Sequence, residues 1–204
     1  MAVAYSYRMA AKYREMTQTE AVRNAQGHYY GRAQSSVRTA GPDVLTEDET
    51  DFIQSRDSFY MATVNVDGWP YIQHRGGHPG FLNILGPNRL AFADFRGNRQ
   101  LLSTGNLAGS EKVALFLMDY PNRTRLKILG HARVEDACEH ADLIEKLAAA
   151  DERSLVERLF FIDVVSYDWN CPQHITPRFT IEKIQSAIAP LKKRIAELEA
   201  QIKK

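Results

Sequence analysis

Three pairs of strand-like segments, each joined across a short turn signal, fill the middle of this chain and leave few architectures open to it. Residues 59–66 read as a strand and meet Asp67-Gly68, a two-residue turn signal, before WPYIQHR resumes the strand pattern. Residues 81–85 and 89–95 pair across Gly86-Pro87-Asn88, and residues 113–118 and 124–134 pair across Pro121-Asn122. Six strands at such close spacing imply an antiparallel barrel, because each hairpin has an apolar face that must be covered. RLFFIDVVSYDW, residues 158–169, reads as a last long strand with Phe161, Asp163, Val165 and Tyr167 on one face.

Helical patterning flanks the strands. Residues 5–23 permit a helix that Gly27 and Gly31 interrupt, and a loose segment follows to Pro42, so residues 1–44 form a helical arm. Thr46 with Glu49 three positions on is a capping box that starts a short helix carrying Phe52 and Ile53 on one face. Residues 98–107 and 138–150 are helical in pattern. Beyond Pro177, Ile181, Ile184, Ile188, Leu191, Ile195, Leu198 and Ile202 recur at alternating spacings of 3 and 4, a heptad seam. A seam that narrow suits a dimerising coiled coil; packing along its own barrel or along the N-terminal helix is the other reading, and Pro190 argues against a straight coil. The chain therefore divides into an arm (1–44), a barrel (45–178) and a C-terminal helix (179–204).

Charge narrows the function. The 204 residues carry a net charge of only +1 and a hydrophobic content of 44%, enough for a proper core. Residues 1–40 and 178–204 each carry +4, so removing both from the total leaves −7 for residues 41–177. An anion site in that acidic middle needs a local basic cluster. No apolar run is long enough to span a bilayer and the N-terminus lacks the apolar region of a signal peptide, so no membrane partner and a cytoplasmic location are expected. Cys138 and Cys171 show no metal or redox spacing, and the histidines fit no metal-ligand pattern, so no metal is expected. Basic, tyrosine-containing tails could track phosphates, but a solvated amphipathic arm accounts for them and no nucleic-acid partner is expected.

The basic cluster lies in YIQHRGGHPGFLNILGPNRLAFADFRGNR, residues 71–99. Gln73, His74 and Arg75 end a strand, Gly76 and Gly77 let backbone N–H groups face a ligand, and Arg96, Asn98 and Arg99 stand where a strand gives way to a helix. Arg123, Arg125 and Lys127 add to the cluster from the hairpin beyond. The order GWPYIQHRGG, two strands, FRGNR, helix, strand, RLKILGHARV resembles the pyridoxamine 5′-phosphate oxidase-like FMN-binding split-barrel proteins over about residues 45–178.

That resemblance implies a mainly β fold with helices, a six-stranded antiparallel split barrel, dimeric, with two FMN sites at the dimer interface. Arg75 and Arg99 would hold the flavin phosphate, with Asn98 supporting it through its amide or its backbone N–H. Gln73, His74 and Gly76 would line the isoalloxazine edge, and Phe95 would lie near the ribityl chain. A phosphate dianion suits bidentate guanidinium groups and oriented N–H donors, which agrees with these residue types. Lys127 joins them as a cofactor contact. In DWNCPQHITPRF, residues 168–179, Trp169 and Gln173 are the candidates to reach a flavin across the dimer, with His174 and Arg178 beside them. The Arg-x-His substrate clamp of true pyridoxamine phosphate oxidases has no counterpart here, so pyridoxamine phosphate is not the expected substrate. The implied activity is that of an FMN-dependent oxidoreductase, a homodimer acting on an unidentified small molecule. The alternative is a non-catalytic module binding flavin or the deazaflavin F420. No catalytic residue is assigned, since hydride transfer at a flavin requires no acid or base from the protein.

Overall fold

The structure, a computed structural model, describes residues 10–35, 38–97, 99–169 and 173–202. Its centre is one antiparallel sheet of seven strands: β1 (Ser58–Val64), β2 (Pro70–Gly76), β3 (Asn83–Gly86), β4 (Arg89–Phe95), β5 (Lys112–Asp119), β6 (Thr124–Asp136) and β7 (Val156–Trp169), in the order β2-β1-β5-β6-β7-β4-β3. The expected six strands are one too few because the last long strand joins the same sheet, inserted between β6 and β4. Around it stand α1 (Ala11–Thr17), α2 (Glu20–Tyr30), α3 (Glu47–Gln54), α4 (Leu102–Gly109), α5 (Ala141–Leu147) and α6 (Ile181–Ile202).

The sheet curls on itself. Strands β1 and β4 stand far apart in the ladder, yet Phe59 of β1 and Phe92 of β4 meet edge to face at 5.4 Å between ring centroids. Phe160 stacks on Phe92 at 4.8 Å, and Leu115, Leu117, Leu126, Ile128 and Ile162 complete a core that α3 closes with Phe52 and Ile53. A smaller cluster of Ala91, Ala93, Leu159 and Phe161 lies on the other side of β4 and β7, beneath Leu147 of α5.

The hairpin turns follow from their residues. Around Asp67-Gly68 the loop has three residues rather than two: the Gly68 N–H donates to the Asn65 carbonyl, the Asn65 N–H donates to the Trp69 carbonyl, and Gly68 takes φ +86°. A type I turn closed by a left-handed glycine is the usual three-residue hairpin, and the Asn65 side chain braces it by accepting from the Asp67 and Trp69 N–H groups. At α3 the capping box is in place, with Thr46 as N-cap and Glu49 reaching back to the Thr46 N–H at 2.9 Å. Glu49 is buried and also accepts from the Trp169 indole, which fastens α3 to the end of β7.

Two sequence expectations change. The arm holds two helices rather than one, since the chain breaks at Gln18 and Thr19 caps α2, which then runs through Gly27 and ends at a left-handed Gly31. The arm is also partly docked: α1 packs on β7, with Tyr13 under the Lys127 ammonium at 4.8 Å. On β7, Phe161 and Tyr167 do not share a face. Leu129 pairs with Ser166 but Gly130 pairs with Val164, so Val165 is an extra residue, and this bulge reverses the alternation. Phe160, Ile162 and Val164 point to the main core before it, Tyr167 and Trp169 after it, while Phe161 lies in the smaller cluster.

The bulge explains Gly130. A Cβ there would stand 2.6 Å from the Asp163 carbonyl oxygen, which is backbone and cannot step aside cheaply. Gly130→Ala should therefore lower stability by about 1–3 kcal/mol, the usual cost of overpacking, measured by urea denaturation. Undiminished stability would mean that the β6–β7 bulge can open without loss.

Candidate functional site

Strand β2 is one end of the ladder, so among the described residues its outer edge has no strand partner, and side chains span the opening between it and β4. Alternation along β2 sends Tyr71, Gln73 and Arg75 to one face and Ile72 and His74 to the other. Arg75 crosses the opening: its guanidinium donates to Asp94 of β4 at 2.5 Å. Asp94 also accepts from Arg158 Nη2 at 2.8 Å, and Arg158 stands directly opposite it in the β4–β7 register. The Arg75 guanidinium lies against the rings of Phe160 and Phe92, at 4.9 and 5.4 Å from their centroids. One mostly buried carboxylate therefore holds two guanidinium groups. Further out, the Arg96 and Arg158 guanidinium groups hydrogen-bond Glu157 and keep its carboxyl below the usual range.

A cavity of about 200 Å³ opens beside this triad, lined by Gln73, Arg75, Asp94, Phe95, Arg99 and Arg158 and by the start of α4. The strand-to-helix connection makes a tight path there, with left-handed backbone at Arg99 (φ 59°) and Leu101 (φ 53°). Leu101 is the N-cap of α4 and supplies no side-chain cap, and Leu102, Ser103 and Thr104 of the first turn face the cavity. The first N–H groups of a helix have no acceptor within it and carry the positive end of its dipole. Ser103 is fixed by donating to the Gln73 side-chain carbonyl at 2.9 Å, and Asn106 donates to the Thr63 hydroxyl at 2.9 Å, so α4 is tied to β2 and β1. Three arginines against one carboxylate give the cavity wall a net positive charge in an otherwise acidic barrel.

A second cavity of about 270 Å³ shares Arg75, Asp94, Phe95 and Gly97 with the first, and His74, Gly76, Phe81, Phe92, Ala93 and Arg96 complete its lining. Of the residues singled out from sequence, Gln73, Arg75, Phe95 and Arg99 are thus brought together at the first cavity, His74 and Gly76 line the second and not the first, with the His74 ring 5.5 Å from that of Tyr60, and Asn98 lies outside the described residues. Lys127 is not with them. It sits on β6, paired with Asp168 at 2.8 Å, because its strand is three places from β2 in the ladder. Trp169 is also elsewhere: it is buried in the core edge to face with Phe52 at 4.8 Å, since the bulge turns it inward. Gln173 is exposed in a turn beyond β7.

Asp94, Arg158 and Ser103 were not singled out by the sequence, and the helix start expected at residue 98 falls at Leu102. Only the β4–β7 register sets Arg158 opposite Asp94, and no local motif carries that signal.

Residues 45–161 match the sequence model described as pyridoxamine 5′-phosphate oxidase, which is more than half of the chain. The chain belongs to the pyridoxamine 5′-phosphate oxidase family. The family match spans β1 to β4, α4, β5, β6 and the first part of β7, and so contains the whole positive cavity. Among solved structures, the general stress protein 26 of Bacillus anthracis is 17% identical over 64% of this chain and 93% of its own, with a TM-score of 0.45. An FMN-binding protein of Syntrophomonas wolfei is 11% identical over 59% of this chain and 84% of its own, with a TM-score of 0.42. An F420 reductase is 16% identical over 61% of this chain and 98% of its own, with a TM-score of 0.43. No curated protein matches the chain.

On the opposite face of the sheet lies a wider hollow of about 590 Å³, lined by Tyr13, Tyr60, Ile72, Phe116, Tyr120, neighbouring apolar residues and Lys127. Tyr60 and Ile72 are exposed there, and burial together with the nearby Tyr60 pushes the Tyr120 phenol up. Among the described residues no group of three or more His, Cys, Asp and Glu side chains could hold a metal ion, and no helix is long and apolar enough to cross a membrane.

The triad makes Asp94 the common partner of two partly buried cations. Asp94→Asn removes that charge while keeping the shape, and should cost about 1–3 kcal/mol of stability by urea denaturation, as for charged hydrogen bonds with some solvent access. An unchanged midpoint would show that the sheet alone holds Arg75 and Arg158.

Proposed function

We propose that the protein is an FMN-binding oxidoreductase that works as a homodimer on a small molecule. The observation that carries this reading is the convergence of Arg75, Arg99 and Arg158 with the first turn of α4 on one cavity, in a member of the pyridoxamine 5′-phosphate oxidase family. A phosphate dianion is the group that such a wall suits: guanidinium forks and helix-start N–H groups are its preferred donors. Arg75 Nε adds a specific fit, being a buried donor without a hydrogen-bond partner among the described residues.

The size of the cavity supports one orientation of the ligand. About 200 Å³ is below the roughly 300–1,000 Å³ of pockets that enclose a whole cofactor or drug-sized ligand, so it takes the phosphate end. The ribityl chain and ring would extend past Phe95 into the adjoining cavity, where His74 and Gly76 form one wall. Gln73, already fixed by Ser103, is placed to orient the polar edge of the ring. Bound there, FMN would supply acceptance and release of a hydride or two electrons, and the protein would contribute position and a positive field. The partner would cover the apolar hollow around Tyr60, Ile72, Phe116 and Tyr120, since exposed apolar concavities of this size mark association surfaces. Trp169 then packs the core of its own protomer, Lys127 pairs with Asp168 at the hollow the partner covers, and Gln173 has no assigned contact. A cytoplasmic location belongs to the same reading.

The test begins with the absorbance spectrum of the purified protein, followed by denaturation and identification of any released chromophore. FMN in the supernatant is the expected result. Release of a deazaflavin would replace FMN by F420 at the same site, and a colourless protein that also fails to bind added FMN would overturn the proposal. In a titration of the apoprotein with FMN, Arg99→Ala and Arg75→Ala should each weaken binding by about 1.5–3 kcal/mol, the worth of a charged hydrogen bond. Wild-type affinity in both variants would remove the phosphate from this cavity.

A further inference from the structure

The heptad seam of α6 is left uncovered by its own protomer. None of the residues of α6 is buried, and Ile181, Ile184, Leu191, Ile195, Leu198 and Ile202 are 41–85% exposed. A 22-residue helix carrying seven aligned aliphatic side chains at its surface is stable only if that stripe meets another apolar stripe. We propose that the occupant is α6 of a second copy of this chain, paired in parallel and in register as a two-stranded coiled coil. This deepens the homodimer reading above, and rests on it.

The choice of residues selects both the partner number and the direction. Counting the seam as a and d, the a positions are Ile181, Ile188, Ile195 and Ile202, and the d positions are Ile184, Leu191 and Leu198. β-Branched side chains at a with leucine at d are the arrangement that favours two parallel strands. The flanking positions agree. In a parallel pair each g residue faces the next e residue of the other helix, which sets Arg194 against Glu199 of the second copy, twice by symmetry. Antiparallel pairing has no such match. Of its two registers that retain six seam layers, one sets Arg194 against Arg194 and Lys192 against Lys192, and the other sets Lys192 against Gln185 and Arg194 against Ala187.

Pro190 fits this arrangement. It falls at a c position, on the outer side of the pair, and the helix continues through it. The carbonyl it leaves without an intrahelical donor is that of Ser186, an exposed f position that water can satisfy. In the isolated protomer Arg194 pairs, among the described residues, with Glu197 of its own helix at 3.3 Å and solvent-exposed, so turning to Glu199 of the second copy gives up little.

The experiment places single cysteines in the full chain after Cys138→Ser and Cys171→Ser. Leu198→Cys puts a thiol in the seam, facing its equivalent only in a parallel, in-register pair, whereas Ala200→Cys puts one on the outer face. Under mild oxidation the disulfide-linked dimer should form about tenfold faster or more with Leu198→Cys, because a disulfide needs its two Cα atoms within about 7 Å. Arg194→Glu should slow that cross-linking, and adding Glu199→Arg should restore it. Equal rates at positions 198 and 200 in a chain that light scattering finds dimeric would overturn the coiled coil and leave the barrel dimer standing. A monomer would overturn both. The flavin spectrum of each variant, recorded in parallel, reports separately on the cofactor proposal.

Discussion

The carboxylate of Asp94 is the point on which the open side of this barrel depends. A sheet ending in β2 cannot close by backbone hydrogen bonds, so the distance between β2 and β4 is set by side chains. Asp94 sets it by accepting from Arg75 on one side and Arg158 on the other, while the rings of Phe92 and Phe160 support the Arg75 guanidinium. Arg158 also pairs with Glu157, and the cavity wall keeps an excess of positive charge because Arg99 joins Arg75 and Arg158 there against Asp94 alone. That excess faces the cavity rather than solvent, because the aromatic core lies behind it. The same contact that holds the split together thus supplies the field of the site.

The rest of the frame keeps that contact in place. The β7 bulge at Val165 lets one strand serve two packing environments, turning Phe160 and Ile162 to the core early and Trp169 later. Trp169 then hydrogen-bonds Glu49, and Glu49 caps α3, so the end of the longest strand and the helix that closes the core share one carboxylate. On the cavity side, α4 is bound at two points, Ser103 to Gln73 and Asn106 to Thr63, which holds its first turn toward the arginines. Apart from Arg99 on the strand-to-helix connection, the site belongs to side chains anchored on strands β2, β4 and β7 and on one helix start, an arrangement stiffer than a loop would provide.

Much of this was legible in order along the chain. Strand pairs around Asp67-Gly68, Gly86-Pro87-Asn88 and Pro121-Asn122, the Thr46–Glu49 cap and the unbroken 3-4 spacing from Ile181 to Ile202 are local patterns, governed by turn geometry, capping and periodicity. The cluster Gln73, Arg75, Phe95 and Arg99 was also readable, since FRGNR marks a strand-to-helix junction and an arginine at a strand end is an anion ligand in waiting. Lys127 and Trp169 entered the candidate set with the family resemblance, Trp169 as a contact across the dimer; within one protomer Lys127 pairs with Asp168 and Trp169 packs in the core.

What the sequence by itself determined is therefore most of the elements, the mixing of an antiparallel sheet with helices, the family and a basic cluster inside an acidic middle, because each rests on neighbours within a few residues or on a pattern spanning the chain. Only the tertiary structure decided that β7 enters the same sheet, that Val165 reverses its faces, and that Arg158 stands 64 residues beyond Asp94 in sequence yet opposite it in space. The reason is register: a shift of one residue in a strand exchanges its two faces, and pairing between distant strands is set by the packing of the whole core.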